Sequence, residues 1–488
     1  MVQAQKKQSN DNQKHSKMSC LVIILSAFLI TMLTNMCSPL YKWNPGYDQN
    51  VYYVVARRMV EGDVIYKDVF DHKGPILEFF HWISLILFPN SFTGMYLIYF
   101  VIAVINGYFC YKIMRMYLTE KMSVAGTVFF LVLMETRWCM PLCLAETGDS
   151  AEMLCLPAIM YGAYICVDMI RYKKENLTNV QYLIMGLCVG YIFWIKFTIL
   201  GFYIGVCLYL LFVFIRRKQW SYLFKGLLTT LCGFAILSLV IVLYFVCVHA
   251  VNDLIQVYFY DNIFSYTSKN ITRHLYAIMG GLACFGIPGM IAAVFAVSSI
   301  IELERPEIKF GFLTWICSFL AMTNGKYIWP YYTYILTAYC LPGIIILLHK
   351  VSHTSTKWIC VTLAVISVCT VGQLYYRISG NIKVENSVEQ YANTIQAVIG
   401  DSSFYAYDDP WLYPYLDKYP DEKWIFSFGL RVKEQDIEQK KIEKERKYKY
   451  LIASKYEKEH VDGYRLVKVV KADGVLDSDR YIFERIEN

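Results

Sequence analysis

YKDVFDHKGPILEFF, residues 66–80, puts two aspartates, a histidine and two lysines directly ahead of a Gly-Pro step and an apolar run. The run ILEFFHWISLILF, 76–88, is too short for a comfortable bilayer crossing, which needs about 20 apolar residues, and it ends at Pro89-Asn90. If it crossed, the basic segment YKIMRMYLTEK, 111–121, would fall outside. If it lies along the membrane, that segment and every later basic turn fall inside, as the positive-inside bias requires. The run therefore reads as a juxtamembrane helix. The charges before it then belong to an outer loop, 37–92.

The remaining apolar runs follow from this choice. Residues 1–19 are polar and basic and lead into 20–36, which reads as an uncleaved signal anchor with its N-terminus inside. Further spans are expected at 93–112, 122–138, 153–170, a hairpin 181–215 turning at Lys196, 222–248, 275–301, 310–328, 331–348 and 357–376. The result is a polytopic α-helical membrane protein of about eleven spans, residues 20–376, with a second outer loop at 139–152. From Arg377 the composition turns polar. Short β-rich runs at 402–407, 423–428, 448–454, 464–470 and 480–486 alternate with VKEQDIEQKKIEKERK, which predicts a small α/β domain, 377–488, outside the membrane.

Composition agrees. Of 488 residues, 56% are hydrophobic and only 18% charged, against about a quarter charged in soluble domains. The net charge of +7 resides mainly at the ends of apolar runs, so it reads as membrane topology and excludes a nucleic-acid partner. The 16 cysteines all lie at or before Cys369 and show no metal-ligating CxxC pair; Cys139 and Cys143 read as small apolar loop residues. There is no P-loop, Rossmann fingerprint, GxSxG elbow or HExxH. No inverted pair of broken helices favours a transporter.

The polar residues of the two outer loops are the chemical candidates. After Pro45-Gly46, Asp48 precedes a helix and is either its N-cap, a general base, or both. Arg57 and Arg58 either snorkel or face an anion. Asp68, Asp71, His72 and Lys73 either bridge one another or form a site, and Gly74-Pro75 fixes where the next helix starts. In the second loop, Glu146, Asp149 and Glu152 lie near the start of a span, where acids gain from the helix dipole. Facing the first loop across a cavity, they suit a base or a divalent-cation site. Lys196 and Lys326, at the outer ends of spans, need a local anion and with Lys73 and an arginine suit a phosphate.

This pattern resembles the C-type (GT-C) membrane glycosyltransferase superfamily, and within it the protein-mannosyltransferase and aminoarabinose-transferase-like group, glycosyltransferase family 39-like. The segments that carry the resemblance are YKDVFDHKGPILEFF, TGDSAEMLCLP at 147–157 and the Tyr-rich GKYIWPYYTYILTAYCLPG. It implies inverting transfer of one sugar from a polyprenyl-phosphate-linked donor to an envelope acceptor at the outer face of the cell membrane. By motif position Asp48 matches the base and Lys73 the donor-phosphate lysine, joined by Arg58, Lys196 and Lys326. Glu152 or Asp149 matches the second acid and the site of a divalent cation, and Asp68, Asp71 and His72 support the loop or touch the donor sugar. A flippase of lipid-linked saccharides and a polysaccharide polymerase or ligase are the competing classes.

Overall fold

The computed structural model describes residues 2–42, 44, 46–136, 148–265, 272, 275, 279, 306–323, 330–352, 356–407, 409–426, 432–454, 460–472 and 479–487. Lys326, Glu146, Cys139, Cys143 and most of the expected span 275–301 lie outside these residues. The helices are α1 (Val2–Thr34), α2 (Tyr47–Val60), α3 (Pro75–Leu87), α4 (Thr93–Met114), α5 (Glu120–Thr136), α6 (Ala151–Arg171), α7 (Asn179–Lys196), α8 (Gly201–Arg216) and α9 (Trp220–Cys247). They continue with α10 (Pro306–Met322), α11 (Cys340–Ser352), α12 (Thr356–Ile399) and α13 (Val432–Glu445). Among the described residues, five stretches are long and apolar enough to cross a bilayer: Lys17–Thr34, α4, α6, the α7–α8 pair and α9. The chain is a multi-pass membrane protein.

Small residues decide how these helices meet. A Cβ on Gly186 would stand 2.0 Å from the Thr230 carbonyl oxygen, and one on Gly233 would stand 2.2 Å from that of Leu183. The backbones of α7 and α9 therefore touch, as small residues allow inside membranes. Trp194 adds a hydrogen bond from Nε1 to Ser238 Oγ, 2.9 Å. At Lys196 the backbone becomes extended (φ −164°, ψ 98°) and α7 ends. The chain turns through Phe197–Leu200 into α8, which packs on α10 through Gly201 and Gly205. The hairpin expected at Lys196 is present, with its second arm drawn toward α10.

The composition change at Arg377 is not an element boundary. Helix α12 runs unbroken for 44 residues across it, because the backbone ladder continues after the side chains turn polar. Just past that point Asn381 Nδ2 donates to the Thr34 carbonyl at 3.0 Å, satisfying an orphan acceptor at the end of α1.

Beyond α12, β1 (Phe404–Ala406), β2 (Tyr450–Ser454), β3 (Tyr464–Val470) and β4 (Arg480–Arg485) form one sheet in the order β1-β2-β4-β3. β1 and β2 are parallel and the other pairs antiparallel. Four of the five expected strands are thus present. The fifth, 423–428, is not a strand over its described residues 423–426. Those residues instead cover the first loop: Trp424 lies 4.1 Å from Phe70, ring to ring, and the Phe70 amide donates to the Lys423 carbonyl at 3.0 Å.

Candidate active site

Helix α2 starts after Gly46, whose extended backbone occupies the cap position without a side-chain bond. Asp48 stands in the first turn and does not cap, so the N-cap reading is corrected. Its carboxylate points instead to Lys73 Nζ, 3.6 Å away, and accepts from the Tyr52 hydroxyl at 3.3 Å, one helical turn on. Neighbouring amides hold this turn in place. Asn50 Nδ2 donates to the carbonyls of Asn44 (2.7 Å) and Gly46 (2.6 Å), and Gln49 Nε2 donates to the carbonyl of Asp149.

Lys73 is placed by a tightly specified loop. Asp68 Oδ2 accepts from the Val64 amide at 2.9 Å and closes a turn, so this residue is a loop brace. Tyr66 sits in the left-handed region (φ 72°), costly for a bulky side chain. It is held there by its hydroxyl, which donates to the Lys73 carbonyl at 2.5 Å, and by stacking on Phe245 at 5.6 Å. Gly74 then donates to the Ile195 carbonyl at 3.0 Å, and a Cβ on it would lie 2.1 Å from the Trp194 carbonyl oxygen. Only glycine permits this backbone approach, which seats Lys73 beside the end of α7 and therefore beside Lys196. Pro75 opens α3 at its first position.

The second loop arrives from the other side. Gly148 (φ 124°) accepts from Asn35 Nδ2 at 2.9 Å, and Ser150 caps α6 by accepting from the Met153 amide at 3.2 Å. Asp149 is fully buried. It accepts from the Tyr99 hydroxyl at 2.6 Å and faces His81 Nε2 at 3.2 Å. Glu152, 1% exposed, pairs with Lys196 Nζ at 2.6 Å, and the same ammonium lies 3.6 Å over the Tyr332 ring.

Beneath these pairs lies a buried acidic layer. Asp71 Oδ1 accepts from the His72 amide at 2.6 Å and faces His72 Nδ1 at 3.3 Å. Burial opposes its charge, but the His72 hydrogen bond and the charge of Lys73 outweigh it and hold the carboxyl below the usual range. Burial, then Lys73, lowers the His72 imidazole against the pull of Asp71. Burial first, then the charge of Asp71, pushes the Glu78 carboxyl well above its ordinary value. Neither Glu78 oxygen accepts a hydrogen bond from a described donor, and its neighbour Asp71 is itself an acceptor. A proton shared between the two resolves that contact. Tyr52 gathers the whole site: burial raises its phenol, and Asp48, Asp71, Glu152 and Asp149 all add to the shift.

The two polar loops thus meet around one point, with Asp48, Lys73, Asp71, His72, Asp149, Glu152 and Lys196 together. Three expected members stand elsewhere or are already engaged. Arg58 Nη1 donates to the carbonyls of Pro420 (2.6 Å) and Glu422 (3.0 Å), Nη2 donates to that of Asp421 (3.1 Å), and Nε pairs with Asp63. These contacts place Arg58 at the junction with the C-terminal region. Asp149 and Glu152 are engaged by Tyr99, His81 and Lys196. Among the described residues no three His, Cys, Asp or Glu side chains are grouped to hold a metal, so the expected divalent-cation donor set does not fit. Four residues absent from the sequence-derived set complete the site: Glu78, His81, Tyr99 and Tyr332. Glu78 and His81 are three apart on α3, a spacing that puts both on one face and that the surrounding apolar residues concealed.

Comparison with known proteins now has a geometry to rest on. The fold is similar to that of ArnT from Cupriavidus metallidurans bound to undecaprenyl phosphate (TM-score 0.60, 12% identity, 96% of this chain and 98% of that one). It is equally similar to apo ArnT from that organism (TM-score 0.59, 11% identity, 98% of each chain). A more distant likeness is to the archaeal oligosaccharyltransferase AglB from Archaeoglobus fulgidus in complex with an inhibitory peptide and a dolichol-phosphate (TM-score 0.49, 12% identity, 90% of this chain and 69% of that one). The likeness to ArnT extends over the fold of nearly the whole chain. No curated protein matches the sequence. A family model described as "Putative competence-induced protein Ccs4 N-terminal domain" matches residues 7–323, which is more than half of the chain and includes every charged residue of the site. The chain belongs to the Ccs4 N-terminal domain family.

Proposed function

We propose that the chain is an inverting glycosyltransferase that moves one sugar from a polyprenyl-phosphate-linked donor to an envelope acceptor at the outer face of the membrane. Its N-terminus would lie inside, and the β-sheet region outside with the acidic site. One observation carries the assignment of the base. Among the clustered acids Asp48 is 20% exposed, whereas Asp71 and Asp149 are fully buried and Glu152 is 1% exposed. Asp48 can meet a substrate, and the others can only shape its surroundings.

In the proposed reaction an acceptor hydroxyl attacks the anomeric carbon from the face opposite the phosphate. The C–O bond to phosphate breaks, the phosphate leaves with the electron pair, and the hydroxyl proton goes to Asp48. A phosphate needs no general acid when cations neutralise it. Lys73 and Lys196 supply them, each already beside a carboxylate and within electrostatic reach of the other. The 3.6 Å spacing of Asp48 and Lys73 exceeds a direct hydrogen bond, so a phosphate oxygen arriving at Lys73 leaves Asp48 in place as the base.

The test follows release of polyprenyl phosphate from a labelled polyprenyl-phosphate-sugar pool in membranes carrying the wild type or Asp48→Asn. The variant should lose about 10²–10⁴-fold in rate. Full activity in a folded Asp48→Asn protein would remove Asp48 from the role. In parallel, Lys73→Ala should weaken binding of undecaprenyl phosphate to the purified protein; unchanged binding would remove Lys73.

A further inference from the structure

Helix α8 does not close on the α7–α9 pair. The contacts at Gly186 and Gly233 pull α9 onto α7, while Gly201 and Gly205 pull α8 onto α10. The divergence leaves an apolar crevice of about 260 Å³, lined among others by Tyr182, Val189, Tyr203, Cys207, Leu210 and Leu227. It lies toward the end of the bundle opposite the acidic site, since α7 begins there and finishes at Lys196. Flanking side chains such as Ile204 and Leu227 are half exposed, so the crevice opens sideways into the bilayer.

The rim at that end is basic. Arg216 ends α8, Arg217 and Lys218 follow it, and Lys225 is one residue before Gly226, which lines the crevice. All four are exposed. None has an ion pair among the described residues; Glu175, at the same end, accepts from the Tyr222 hydroxyl at 3.4 Å. Four cations without a paired acid, set at the mouth of an apolar slot in a lipid-facing wall, complement a molecule with an anionic head and an aliphatic tail.

We infer that this crevice is a binding site for an anionic phospholipid, one acyl chain lying between α7, α8 and α9 and the headgroup phosphate resting on the Arg216–Lys218 and Lys225 rim. The site is separate from the proposed transfer centre and does not depend on that activity. The lipid completes a wall that the glycine contacts leave open.

The test uses the full-length protein in nanodiscs of equal phosphatidylglycerol and phosphatidylcholine, followed by partial delipidation and native mass spectrometry. The wild type should retain phosphatidylglycerol over phosphatidylcholine by tenfold or more. Arg216→Gln/Arg217→Gln/Lys218→Gln should abolish that preference while lipid still binds. Cys207→Phe, which fills the slot, should lose the retained lipid with helicity unchanged. If Cys207→Phe does not fold, the surface triple variant alone decides. Equal retention of the two lipids by the wild type, or an unchanged preference in the triple variant, overturns the site. So does retention of a polyprenyl phosphate in place of phospholipid.

Discussion

Two charge pairs in this molecule are built to opposite specifications. In the sheet region Arg480 donates to Asp409 through both Nε (2.7 Å) and Nη2 (2.9 Å), with side chains 7% and 3% exposed. The pair is bidentate and closed, and Trp411 Nε1 donates to the same carboxylate at 3.2 Å. In the membrane-facing site Asp48 and Lys73 are 3.6 Å apart, and the carboxylate is 20% exposed. Around them lie the buried carboxylates of Asp71, Asp149, Glu152 and Glu78; Asp149 faces His81 Nε2 at 3.2 Å, and Glu78 shares a proton with Asp71. A pair that holds a fold satisfies its atoms. The pair proposed for chemistry stays open on one side.

That contrast can be broken by experiment. Asp48→Asn should cost about 10²–10⁴-fold in transfer rate but leave thermal stability within about 1 kcal/mol of wild type. Arg480→Ala should do the reverse. It strands Asp409 in the interior and should cost about 3–5 kcal/mol of stability, read by thermal unfolding, while folded molecules remain active. Equal effects on stability would erase the distinction. Gly74→Ala comes next. The new Cβ must displace the α7 backbone and with it Lys73, so activity should fall about 100-fold, since displacements near 1 Å cost that much.

Glu78→Gln sharpens the comparison through pH. Folded Glu78 keeps its proton at pH values where the unfolded chain has lost it, above its ordinary 4.5. The folded state then binds more protons, so wild-type stability falls as pH rises from there through the folded value. The glutamine variant should lose this slope; an unchanged slope would show that Glu78 is ionised. Smallest is Asp68→Ala, which removes one turn bond to Val64 and should cost about 1 kcal/mol with little change in rate.

Much of the site was legible in the sequence because it is local. Asp48, Lys73 and Gly74-Pro75 lie in short polar stretches between apolar runs, where charge is conspicuous and its placement limited. The reading of 76–88 as a juxtamembrane helix placed both loops at one end, and that sufficed to bring Asp149 and Glu152 to Asp48. What was hidden depends on distant chain or on periodicity inside apolar runs. Tyr99 and Tyr332 look like ordinary aromatics of membrane helices until Asp149 and Lys196 stand beside them. Glu78 and His81 are single polar residues in a run that reads as lipid-facing. The partners of Arg58 lie more than 360 residues away, beyond the reach of any local pattern. The stretch 423–426 has strand composition, but its aromatic side chains are used against Phe70, and tertiary packing overrode propensity.

The clasp between Arg58 and the carbonyls of residues 420–422 also sets a clock. Arg58 is made 362 residues before Pro420, which at about 5–20 residues per second is roughly 20–70 s. During that interval α2 and the 64–74 loop lack the segment that covers Phe70 and takes up the Arg58 guanidinium. The site therefore matures from its far end: its first-made residues wait for nearly its last, and a chain still in synthesis holds its reactive loops without the cover that completes them.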